Sequence, residues 1–103
     1  MIVYCTVPDK ASGEKIARAL VTEGLCACVN RIPAVTSYYI YEDKFCEDSE
    51  ELLIIKTDAA HFQAVEKRIA ELHPYDVPEV IATEIKAGSA GYMKWLKEAL
   101  KQP

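Results

Sequence analysis

The sequence contains no apolar run approaching the roughly 18 residues that a membrane-spanning helix needs. It also lacks a basic block: 12 lysines and arginines are scattered among 16 acidic residues, for a net charge of -4. That pattern offers no footprint for a nucleic-acid partner. The four cysteines, Cys5, Cys26, Cys28 and Cys46, include no C-x-x-C pair, which removes the usual zinc and redox signatures. Only two histidines occur, His61 and His73, and no serine sits in a nucleophile elbow. The chain opens Met1-Ile2-Val3-Tyr4, with neither a basic leader nor a small-residue cleavage site, so the expectation is a cytoplasmic protein. There the cysteines are expected as thiols. These absences favour a binding protein over an enzyme.

What is present is a chain of 103 residues, half of them apolar. That is room for one domain, spanning 1–103. A chain of this size buries only about 60–70% of its unfolded surface, so its core is thin and a partner subunit is a natural supplement.

Ile2 to Val7 reads as a short strand, ended by Pro8-Asp9. Asp9 is placed to cap a helix from Lys10, in which Gly13, Ile16, Ala17, Leu20 and Val21 recur at helical spacing. Gly24 stands where a left-handed helix terminus is wanted. Leu25 to Tyr41 is rich in β-branched and aromatic residues, and Pro33 predicts a bulge or bend at Ile32-Pro33. Cys26 and Cys28, two apart on that strand, would share one face as small buried residues. A tight turn at Glu42-Asp43-Lys44 returns the chain into a second long strand, Phe45 to Thr57. Asp58 then caps a helix whose apolar face is Phe62, Val65, Ile69 and Leu72, with His61 facing solvent in its first turn. Pro74 stops it. Val77 to Lys86 reads as a fourth strand, and Ser89 caps a last helix with the stripe Tyr92, Trp95, Leu96 and Ala99.

The order β-α-β-β-α-β plus a C-terminal helix, under the right-handed crossover rule, is the α+β, ferredoxin-like split βαβ sandwich. Two helices cover one face of its sheet. The other face and an overlong hairpin then need another subunit.

The most unusual segment is His73-Pro74-Tyr75-Asp76-Val77-Pro78-Glu79. Two prolines hold it in one extended shape. It reads equally as a rigid binding loop and as a helix-to-strand corner, with His73 capping the helix as a cation. An acylphosphatase-type phosphate loop needs an arginine that Val7-Pro8-Asp9-Lys10 lacks, and a copper-chaperone loop needs a second cysteine beside Cys5.

His-Pro-Tyr-x-x-Pro-Glu, preceded by Leu52-Leu53-Ile54-Ile55-Lys56-Thr57 and followed by Tyr92-Met93-Lys94-Trp95-Leu96, resembles the CutA family of divalent-cation tolerance proteins. Cys5-Thr6-Val7-Pro8-Asp9, Leu25-Cys26-Ala27-Cys28-Val29-Asn30 and Ser37-Tyr38-Tyr39 match in the same order. Tyr41 and Asp43 stand where that family usually has Trp and Gly, and Cys26 where alanine is commoner. The resemblance implies a tight homotrimer that binds copper or other divalent cations, with Cys5 and His73 at the metal-binding positions. Leu72 replaces a second histidine found in some relatives. Nitrogen-regulatory PII proteins share the trimeric fold and suggest an alternative, a small-molecule sensor. In it Lys56, Tyr75, Glu79, Tyr92 and Trp95 would line a cleft between subunits.

Overall fold

A computed structural model describes residues 1–102. The chain runs β1 (Ile2–Val7), α1 (Lys10–Thr22), β2 (Cys28–Tyr41), β3 (Lys44–Lys56), a 3-10 turn (Ala59–His61), α2 (Phe62–Leu72), β4 (Ile81–Thr83) and α3 (Ala90–Ala99). The strands form one antiparallel sheet in the order β2-β3-β1-β4, the split βαβ arrangement.

Local chemistry sets the element ends. Asp9 accepts from the Ser12 N–H, Asp58 from His61 and Ser89 from Tyr92, so each predicted capping side chain satisfies a free helix donor. Gly24 ends α1 at φ 72, and a Cβ there would collide with the Lys101 side chain. Glu42 and Asp43 both adopt left-handed φ, as a two-residue hairpin turn demands. The predicted break at Pro33 is a register shift between Ile32 and Val35, with Ala34 at φ 61.

Strand alternation divides the side chains cleanly. Val3, Cys5 and Val7 of β1 and Leu53 and Ile55 of β3 pack under Ile16 and Leu20 of α1 and Val65 and Ile69 of α2, all out of reach of solvent. Glu51 shares that side, where both its oxygens accept from Arg31 Nη1 at 2.7 and 2.8 Å. Tyr4, Leu52 and Ile54, of opposite parity, stay partly exposed because no helix crosses their face. Beyond the sheet, the β2–β3 ribbon carries Tyr38, Ile40, Tyr41 and Phe45 in the open.

Four expectations need correcting. The fourth strand is three residues long, not ten, and pairs only with Ile2, Val3 and Tyr4. Further along β1 the His73 ring takes the partner's place, its Nε2–H donating to the Thr6 carbonyl at 2.8 Å. Cys26 precedes β2 instead of lying in it, so it and Cys28 do not share a strand face; Cys26 is buried and Cys28 half-buried. Of the stripe on α3 only Leu96 is buried, while Tyr92 and Trp95 pack on each other in the open, ring centroids 5.5 Å apart.

The fourth concerns His61, which is only 5% exposed. The C-terminal segment folds back, with Lys101 N–H donating to the Gly24 carbonyl at 3.0 Å, and covers the ring. Nδ1 then meets the Asp58 carboxylate at 2.6 Å and Nε2 the Lys101 carbonyl at 2.5 Å. Burial alone would lower its pKa, but those two acceptors outweigh it and raise the value above 6.5. A raised folded value means stability that is complete below the ordinary histidine range and lost as pH rises through the folded pKa. Urea unfolding of wild type and His61→Gln between pH 5.5 and 9 should therefore show the wild-type advantage shrinking as pH rises. A constant difference would rule out the charged ring as the fastener.

Candidate functional site

The segment His73–Glu79 wraps the end of β1 and meets the base of the hairpin. Its anchor is His73. The ring's Nδ1 accepts from the Tyr75 N–H at 3.1 Å and its Nε2–H donates to Thr6, so both nitrogens are committed in the neutral Nε2–H form. The helix-capping cation anticipated for His73 is thus replaced by a neutral corner post. Tyr75 packs on that ring at 4.7 Å between centroids and sends its hydroxyl to Glu50 Oε2 at 2.9 Å. Burial, the hydrogen bond to Glu50 and the Glu50, Asp48 and Asp9 charges push the Tyr75 hydroxyl up to about 12.

Cys5 lies beside this post. Its Sγ is 3.7 Å from the Thr6 carbonyl oxygen that also receives His73, so thiol and imidazole converge on one atom. Burial, then the nearby Glu79 and Glu50 charges, push the Cys5 thiol up to about 12. The pair named from the resemblance is therefore brought together. Among the described residues, no third histidine, cysteine or carboxylate joins it in metal-binding geometry within one chain.

On the other side of the corner opens a groove of about 680 Å³. Thr6, Glu50, Tyr39, Tyr75, Asp76 and Glu79 contribute to its walls, with Tyr38 and Tyr41 nearer the hairpin tip. Tyr39 donates to Asp48, which fixes its ring against the ribbon. Of the five residues expected to line a cleft, one chain brings Tyr75 and Glu79 together here. Lys56 lies at the far end of β3, donating to Asn30, and Tyr92 and Trp95 sit on α3. Glu50 and Tyr39 were not anticipated. The available signal was parity, since Glu50 takes the side of Leu52 and Ile54 on a strand otherwise turning apolar.

A four-stranded antiparallel sheet with its crossover helices on one side and a proline-braced corner at β1 defines a small ferredoxin-like α+β domain. The chain belongs to the CutA1 divalent ion tolerance protein family, whose model matches residues 1–99. The chloroplastic protein CutA 1 of Oryza sativa is 44% identical over 102 residues, covering 99% of this chain and 58% of that protein. The chain thus spans little more than half of that plant relative. The divalent-cation tolerance protein CutA of Thermus thermophilus is 43% identical over 97 residues, 94% of each chain. The crystal structure of CutA1 from Oryza sativa superposes with a TM-score of 0.97 at 44% identity, covering 99% of this chain and 94% of that one. No described helix is long and apolar enough to cross a membrane.

Proposed function

We propose that this chain acts in divalent-cation tolerance as a homotrimer that binds divalent metal, copper foremost, and catalyses no reaction. The observation that carries the metal reading is the convergence of Cys5 Sγ and His73 Nε2 on the Thr6 carbonyl oxygen. A soft sulfur beside an imidazole suits copper in either oxidation state. Capture would displace the thiol proton and move the imidazole proton from Nε2 to Nδ1, which gives up its bond from the Tyr75 N–H, so that sulfur and Nε2 both turn from that oxygen to the metal. Three chains would cover the bare sheet face and the exposed ribbon, which supports the trimer. Four free thiols fit a reducing compartment such as the cytoplasm.

Copper titration of wild type, Cys5→Ala and His73→Ala tests this reading, beside the mass in solution by light scattering. Each variant should lose at least about tenfold in affinity, and the mass should be that of three chains. With the Cys5 thiol held near 12, one proton leaves per copper bound, so affinity should climb about tenfold per pH unit between 6 and 8. Unchanged affinity in both variants, or a flat pH profile, would reject Cys5 and His73 as ligands.

The alternative, a PII-like sensor with ligand clefts between subunits, would draw on Lys56 for its positive charge. In one chain Lys56 is engaged with Asn30, and the groove at the corner carries carboxylates without a lysine or arginine.

A further inference from the structure

We infer that α3 and the strap behind it form a detachable unit, fastened to the start of α2 by a clasp that one proton at His61 operates. With the ring charged the clasp is shut. Loss of the Nε2 proton frees residues 90–102 while the sheet, α1 and α2 stay folded. Both ring nitrogens face acceptors, the Asp58 carboxylate at Nδ1 and the Lys101 carbonyl at Nε2. Only the imidazolium has a donor for each; a neutral ring has one. The carboxylate, a charged acceptor, keeps that remaining proton at Nδ1. Nε2 then turns a lone pair on the Lys101 oxygen at 2.5 Å, and the ring is too buried for water to come between them.

The element that the proton releases has little else to hold it. The central core cluster draws on β1, β3, α1, α2 and Cys26 and takes no residue from α3, of which only Leu96 is buried. Beyond the clasp, and among the described residues, the strap makes one backbone bond to the rest of the chain, from the Lys101 N–H to the Gly24 carbonyl. The other charges around the ring are Lys97 and Lys101, both exposed and so screened by water. The Met1 ammonium donates to the Thr57 carbonyl beside Asp58, and on the α1 side Glu23 is engaged with Arg68 of α2. Burial favours the neutral ring, but the Asp58 carboxylate and the Lys101 carbonyl outweigh it, and the balance lies above 6.5. Release therefore falls on the alkaline side of the ordinary histidine range. The clasp uses neither Cys5 nor His73 and no residue of the β2–β3 ribbon.

Trp95, the one tryptophan of the sequence, lies on α3 against Tyr92 and reports the release. Its emission, followed from pH 5.5 to 9, should change in a single one-proton step, with a midpoint above 6.5 that does not depend on protein concentration. Hydrogen exchange, corrected for the intrinsic pH dependence of the rates, should show protection across 93–101 falling at least about tenfold between pH 6 and 9. Strands β1 and β3 should keep theirs. His61→Gln should abolish the step, and Asp58→Asn should move its midpoint down by about one pH unit or more. The second variant decides the matter even where the first fails to fold. The clasp is ruled out by an absent step, by a step that survives in His61→Gln or stays in place in Asp58→Asn, or by protection lost from β1 and β3 together with α3.

Discussion

Leu53→Ala is expected to lower the unfolding free energy by about 2–5 kcal/mol, the range for emptying a fully packed leucine site. Leu53 sits at the centre of β3, paired with Cys5 on one side and Arg31 on the other, and is out of reach of solvent. It belongs to a core cluster drawn from three parts of the fold: Val3 and Ile55 in the sheet, Ile16 and Leu20 on α1, Val65 and Ile69 on α2. Strand residues cannot shift toward the void without breaking ladder bonds, so the cavity persists. For a domain of this size such a loss lowers Tm by at least about 8 °C. Denaturant unfolding at matched protein concentration is the measurement, because the proposed assembly would also contribute to stability. A loss under about 1 kcal/mol would contradict the packing described.

One residue along, Ile54→Lys is expected to leave the fold intact and, on the proposed trimer, to reduce the mass in solution from three chains to one. Ile54 pairs with Tyr4 and Asn30 but points to the opposite side, where no element of its own chain covers it. A lysine there finds water in the single chain, so far-UV circular dichroism should match wild type. In an assembly that covers this face the ammonium would be buried without a partner, at a cost of several kcal/mol per subunit. Light scattering with unchanged mass would show that this face is not the seam between subunits. The two adjacent positions separate folding from assembly by the pleat of one strand.

That separation explains what was readable from the residues alone. Asp9, Asp58, Ser89, Gly24 and the Glu42-Asp43 turn act on backbone groups within four residues of themselves, so their roles follow from local chemistry. The break at Pro33 follows from a missing N–H. The length of β4 was not readable, because it depends on a competition for the edge of β1 that His73 wins from a distance of 67 residues. His61 escaped for a similar reason: the Lys101 carbonyl that covers it lies 40 residues away. At the site, the resemblance supplied Cys5 and His73, and the structure brings them onto one carbonyl. Of the groove's acidic wall, Glu79 was named from the residues, whereas Glu50 was legible only through its parity, a weak signal on a strand that begins polar.

The irregularity at Ile32–Val35 also bears on how large an assembly of this chain can grow. β2 is an outer strand of 14 residues, bordered by exposed tyrosines and isoleucine, and such an edge is a template for endless strand addition. Pro33 offers no donor and Ala34 turns the backbone left-handed, so the row of free N–H groups is cut into two short, differently angled stretches. An incoming strand can match one stretch or the other, but not both in a straight register. Growth by repeated edge pairing, which ends in fibres, is thereby discouraged, and contacts that close on themselves are left as the favoured outcome.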